Sequence, residues 1–268
     1  MPITNRDSFV GAGQRRARKR VFPAQSTAAT LAHTTLDMPG TPAAGSLTIG
    51  NTTTGLVPTD ATAGYPDIRN FGAGTIGYLS YAAFNSTVAG TAILYDRIWH
   101  AGSVLATALA TTTFAGQPSY ASRLPGGTDY GDLEILLEIN TAFSATATTV
   151  SVGYTNEAGV TGRVAASGSL SSIGTRRVIS MPLQAGDKAP QRIDNITIGG
   201  VVATAGSVNV ILARRLADFT TYQPNRADAK SWNELGQEVF ADMALWGVIV
   251  PDGASSGLFG YDVTIRDG

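Results

Sequence analysis

The sequence contains no cysteine, which excludes disulfide staples, thiolate metal sites and cysteine nucleophiles together. Histidine is almost as scarce. His33 and His100 are the only imidazoles, and neither has a His, Glu or Asp at the spacing of a zinc motif such as H-E-x-x-H. Charged residues make up only 15% of the chain, well under the roughly 25% of ordinary soluble domains. Thr, Ser, Ala and Gly stand in their place, a composition that fits a surface covered in part by neighbouring subunits. No run of about 18 apolar residues occurs, and the opening residues carry charge where a secretory leader needs an apolar core. The expectation is a soluble protein made in the cytoplasm, with no membrane partner.

Catalytic patterns are missing too. There is no G-x-S-x-G elbow, and nothing ties a serine to either histidine. No phosphate loop of the G-x-x-x-x-G-K-[ST] type is present. Gly72 to Gly77 formally satisfies G-x-G-x-x-G, but a β-patterned stretch follows it where the dinucleotide fingerprint requires a helix. Asp129, Asp132, Glu134 and Glu138 form the densest acidic group. Their spacing matches no calcium loop, and they read as a solvated face or an ion-pair row between subunits rather than a paired-carboxylate site. His100, just after Trp99, reads as a partly buried histidine bonded to backbone at a strand end. No catalytic residue, cofactor or metal is therefore assigned, and the chain is expected not to be an enzyme.

What is present is uneven in charge. Residues 1–25 hold six positive charges and one negative, whereas the remainder holds thirteen positive and nineteen negative. Arg15, Arg16, Arg18, Lys19 and Arg20 crowd together, and Val21 and Phe22 follow as an apolar latch. Such a run suits an arm that docks on an acidic surface, the alternative being a merely solvated, disordered tail. Arginine pairs bidentately with carboxylates, so a protein partner is favoured; nucleic acid is the alternative, disfavoured because no aromatic stacking platform accompanies the run. The partner-docking residues are thus Arg15, Arg16, Arg18, Lys19, Arg20, Val21 and Phe22, in an extended arm spanning 1–30.

Period-two alternation dominates the body, residues 31–268. Strands are expected at Ile76–Phe84, Thr91–Trp99, Leu133–Asn140, Arg176–Leu183, Arg192–Ile198, Ser207–Arg214, Val239–Val250 and Leu258–Ile265. Val150 to Val164 reads as a hairpin turning at Asn156 to Gly159. Many strands without amphipathic helical periods point to an all-β fold, an antiparallel sandwich of jelly-roll type. Ser231 to Glu234 fits a capping box and predicts one short helix. Residues 31–70, rich in Thr, Ala, Gly and Pro, are expected to be largely irregular and extended. Trp99 and Trp246 fall within strands and read as core; with Trp232 they are also the aromatics that a carbohydrate-binding jelly roll would stack on sugars.

Several segments together resemble a group of virion structural proteins of tailed bacteriophages. They are Arg18 to Phe22, Val57 to Gly64, Leu94-Tyr95-Asp96-Arg97-Ile98-Trp99-His100-Ala101-Gly102, Pro118 to Arg123, Pro125 to Asp129 and Gln184 to Asp187. The Leu94–Gly102 stretch is the most distinctive and reads as a core strand with Asp96 and Arg97 at an edge or interface. The resemblance implies a capsid-associated protein located in the virion and made in the bacterial host. A non-enzymatic decoration or cement protein on the major capsid protein, itself a homo-oligomer with a trimer favoured, leads. A neck, tail or fibre-attachment protein is the alternative, and a carbohydrate-binding module ranks below both.

Overall fold

The computed structural model describes residues 13–26, 34–35, 49, 53–68, 71, 75–231, 233–235, 237–253 and 256–267, with 13–26 and 34–35 traced as backbone. His33, Trp232 and Gly72 to Gly74 lie outside the described residues. The strands are β1 (Gly13–Ser26), β2 (Thr34–Thr35), β3 (Gly77–Ser86), β4 (Gly90–Leu105), β5 (Ala110–Thr113), β6 (Leu133–Thr141), β7 (Thr148–Asn156) and β8 (Arg163–Ala166). They continue as β9 (Val178–Ser180), β10 (Pro190–Gly200), β11 (Ser207–Thr221), β12 (Arg226–Ser231), β13 (Glu238–Val239), β14 (Leu245–Pro251) and β15 (Ser256–Asp267). All pair antiparallel, in three sheets ordered β2-β14-β4-β11-β6-β9, β5-β10-β7-β8 and β1-β15-β3-β12, with β13 also on β3.

The long strands β4 and β11, of 16 and 15 residues, form the spine of the six-stranded sheet. Side chains alternate across a sheet, so each strand supplies both faces. On one face, Leu133, Ile135, Leu137, Val208, Val210 and Leu212 meet Val150, Val152, Ile193, Ile196 and Ile198 of the β5-β10-β7-β8 sheet. Farther along the same face, Leu94, Phe219, Leu245 and Ile249 meet Leu79, Phe84, Tyr261, Val263 and Ile265 of the third sheet. The opposite face carries Tyr95, Leu136, Ile211, Trp246 and Val248, packed with Tyr65 of the irregular segment 53–68. One long sheet therefore faces two shorter ones, and the antiparallel sandwich takes this three-sheet form.

The bulges have a visible function. The β4–β11 register shifts between Leu212 and Ala213, opposite Trp99 and Arg97, so Ile98 is an extra residue on β4. The shift keeps Trp99 on the core side while Arg97 faces away. Trp99 is fully buried, its ring edge-on to Phe114 at 5.2 Å, and its Nε1 donates to the Thr54 carbonyl at 3.2 Å. The segment beneath is held close: Gly55 has φ +68°, and a Cβ there would overlap the indole.

Helix is minor. The Ser231 to Glu234 region keeps the capping interaction, since Ser231 N–H donates to Glu234 Oε2 at 3.0 Å, but the backbone forms a turn at 233–234 after β12. Glu234 N–H reaches the Ser231 carbonyl at 2.9 Å, a single turn that the strand geometry on either side does not extend. The helical turns lie at Ala121–Arg123 and Pro125–Gly127, which place Arg123 below the spine.

Candidate functional site

Asp96 and Arg97 are neighbours on β4, so the pleat sends their side chains to opposite faces of the central sheet. Both are buried, with relative exposures of 1% and 0%, so the expectation that they stand at an edge or interface is corrected. An ion has to be matched where it is desolvated, and each face supplies its own partners.

On the face shared by the two inner cores, Asp96 occupies the seam between them. Its Oδ1 accepts from Arg123 Nη2 and, at 3.0 Å, from the Ala244 N–H. Arg123 also donates to the carbonyls of Pro58 and Arg97, the latter at 3.2 Å, and so ties segment 53–68 to the strand. Arg214 adds a second positive charge near Asp96, donates to the Glu238 carbonyl at 2.7 Å and lies 5.6 Å from the Phe240 ring centroid. Burial raises the Asp96 pKa, and the Arg123 cation is the first influence opposing it.

On the other face, Arg97 Nη2 donates to Glu138 Oε2 at 3.0 Å, and Asn209 Nδ2 donates to the same oxygen at 2.9 Å. The Arg97 guanidinium lies 5.0 Å from the Trp246 ring centroid, within cation–π range. Gly102 is required here because a Cβ would overlap the Asn209 side chain. Glu138 is fully buried, so the reading of Asp129, Asp132, Glu134 and Glu138 as one solvated or intersubunit face is corrected. Glu134 accepts from the Tyr95 hydroxyl at 3.0 Å and lies 3.6 Å from Arg215, while Asp129 caps the Gly131 N–H at 3.0 Å.

His100 completes this centre. Its backbone bridges Leu56 in both directions at 2.8 and 2.9 Å, but the ring is 5% exposed and Nδ1 has no hydrogen-bond partner. Burial first, then the Arg97 and Arg123 cations, hold its pKa well below the usual value of 6.5. The imidazole is neutral, in the middle of β4 rather than at a strand end.

A second polar hub lies at the rim. Asp187 accepts from Tyr154 Oη at 2.5 Å, Asn156 Nδ2 at 2.8 Å and Arg163 Nε at 2.8 Å. These donors, Arg163 foremost, hold the Asp187 carboxyl down to about 2. The hub fastens the Gln184 to Asp187 turn to β7 and β8.

Among the described residues no three His, Asp or Glu side chains cluster as a metal site would require, and no helix is long and apolar enough to cross a membrane. Trp99 and Trp246 are fully buried and present no face to a sugar.

The basic run lies on β1, which pairs with β15 in the register Arg15↔Ile265, Arg16↔Thr264, Arg18↔Asp262, Lys19↔Tyr261, Arg20↔Gly260 and Val21↔Phe259. The ladder shifts between Val21 and Gln25, the stretch that contains Phe22. The side chains of Arg15, Arg16, Arg18, Lys19, Arg20, Val21 and Phe22 lie outside the described residues. β1 ends the sheet order, with β15 as its one neighbour among the described strands. The signal that sequence reasoning missed is the pairing of Asp96 and Glu138 with Arg123 and Arg97, three charges of which stand in motifs already conspicuous as sequence.

No protein-family model matches the chain, and no curated protein matches it in sequence. Among solved structures, T=1 particles derived from infectious bursal virus align with a TM-score of 0.20 at 9% identity, over 96% of this chain and 78% of that one. The VP2 subviral particle of infectious bursal disease virus aligns with a TM-score of 0.20 at 10% identity, over 95% and 80% of the two chains.

Proposed function

We propose that the chain is a non-enzymatic structural protein of a tailed-phage virion, a decoration or cement protein that binds the assembled head. The observation that carries the reading is the basic run on β1, an edge strand with an open ladder side among the described strands, set against a body of opposite net charge. An edge strand rich in Arg can join a neighbour by backbone pairing and by bidentate contact with carboxylates. The resemblance of the Leu94–Gly102 and Pro118–Arg123 segments to virion proteins supports the same location, and the buried centre gives these residues a structural role. Added area between capsomers would stabilise a shell by mass action on the assembled lattice.

The test is incorporation into particles. Replacing Arg15, Arg16, Arg18, Lys19 and Arg20 by Gln keeps the strand and removes the charge; deleting residues 1–26 removes both. Quantitative mass spectrometry of purified virions is expected to show fewer copies of the Gln variant and loss of the deletion variant, with circular dichroism confirming a folded body. Normal copy number for both would overturn the docking role. A wild-type copy number matching capsomers supports head decoration, and one matching a single ring would move the protein to the neck or tail.

A further inference from the structure

Among the described residues, four adjoining loops at one end of the sheets carry no charge: residues 105–110, 141–149, 168–175 and 199–207 contain no Asp, Glu, Lys, Arg or His. Arg176 and Arg177, bonded to the Ile139 backbone at 2.8 Å, are the first charges beside them. Hydrogen bonds join these loops into a single surface. Ala106 N–H donates to the Gly206 carbonyl at 3.0 Å, Ala203 N–H to Ala106 at 3.2 Å, Ser144 N–H to Ala205 at 3.1 Å and Ser172 N–H to Ser144 at 2.8 Å. Upon this surface Leu105, at the end of β4, Leu109, just before β5, and Val201, just after β10, are 62%, 59% and 63% exposed. At the other end of the same sheets, Glu157, Arg163, Asp187, Arg192 and Asp194 collect the charge.

We infer that this uncharged end is a self-contact surface, where copies of this chain meet about a rotation axis. A rotation axis brings the residues beside it close to their own images, so a charge there would face a like charge at short range. A contact with a different protein has no such constraint and ordinarily uses opposite charges for steering and register. The lack of charge on four adjoining loops, together with exposed Leu and Val, is a composition that suits a contact around an axis. Ser and Thr around the apolar residues supply hydrogen bonds that tolerate their own images. The surface is distinct from the basic edge strand, so a closed oligomer would leave β1 for another partner.

The inference does not depend on location in a virion, because it is read on purified full-length protein. Two variants are made, Leu109→Asp with Val201→Asp and Leu109→Lys with Val201→Lys. Native mass spectrometry and sedimentation over a range of concentrations are expected to show a closed oligomer for the wild type. Each variant should be at least tenfold weaker in association with an unchanged Tm, since the altered side chains are exposed. An equimolar mixture of the two should reassociate, because images of opposite charge then attract. A wild type that is monomeric throughout would overturn the inference, as would variants that keep the wild-type oligomer or a mixture that stays dissociated. A monomeric wild type whose variants are both missing from virions would assign the surface to a different virion protein and likewise overturn self-contact.

Discussion

The Arg97–Glu138 pair and the Arg163–Asp187 pair have similar lengths, 3.0 and 2.8 Å, yet differ in what surrounds them. Arg97 and Glu138 are wholly buried, while the Arg163 side chain is 28% exposed. At the rim water reaches the Arg163 guanidinium, and Asp187, itself 4% exposed, keeps Tyr154 and Asn156 as donors if Arg163 is lost; in the sheet no water can take over. A buried pair is therefore not a strong source of stability when intact, but it is severe when broken, because one desolvated charge is left without a counterpart. Position rather than distance decides how much a missing partner matters.

The largest expected effect tests that contrast directly. Arg97→Met should lower unfolding free energy by about 3–5 kcal/mol in urea titrations, and adding Glu138→Leu should recover most of it. Recovery near zero would show that Arg97 acts mainly through Trp246 and not through charge balance.

Next comes His100, which the buried centre keeps neutral. Its folded pKa is depressed, so below the ordinary value of 6.5 the unfolded chain takes up a proton that the folded chain does not. Stability should thus fall with acidification below that value, by about 1.4 kcal/mol per pH unit for the single site. His100→Gln should flatten this part of the profile in urea midpoints measured between neutral and mildly acidic pH. An unchanged slope would place the titration elsewhere.

The smallest effect belongs to the rim. The folded pKa of Asp187 is lowered from 3.8 to about 2, so its contribution is present above the ordinary value and disappears as pH falls through the folded one. Asp187→Asn should depress Tm modestly at neutral pH, less than Arg97→Met does, and the difference from wild type should close between pH values of about 4 and about 2. A loss at neutral pH equal to that of Arg97→Met would break the comparison.

Much of the sandwich was legible because its strands bury one face at a time. Val150, Val152 and Tyr154 alternate with Ser151, Gly153 and Thr155, and β7 spans them. The misses follow from physical exceptions to that pattern. β4 runs beyond Trp99 to Leu105, but both of its faces are covered, so nearly every position is buried and Asp96, Arg97 and His100 look like an ending. β5 and β12 are mostly exposed edge strands, reading Ala-Thr-Thr-Thr and Arg-Ala-Asp-Ala-Lys-Ser, with no apolar stripe to detect. The expected Val239–Val250 strand is divided because Asp242 adopts φ 62° and the following Ala244 N–H turns to Asp96. Arg176, at φ 68°, likewise cuts the expected Arg176–Leu183 strand to β9. β1 was legible as a charged arm but not as a strand, since its charge density opposes strand propensity and its partner lies at the far side of the sequence. At the site, charge type was visible and burial was not: Arg97 and Glu138 become partners only when β4, β11 and β6 are laid side by side, and Asp96 meets Arg123 only when the Ala121–Arg123 turn folds against β4.

The pairing of β1 with β15 imposes an order on the making of the molecule. Residues 13–26 are made before their ladder partner, 256–267, so the Arg-rich segment must wait until that partner has been synthesised before it can be seated. Chains interrupted before that point would hold a cationic strand with nothing to pair it and a sheet whose inner member is missing, the kind of intermediate that associates wrongly. Synthesis of residues 256–267 thus acts as the licence for the basic strand to take its place, and a particle that recruits through the seated strand would pass over copies that lack them.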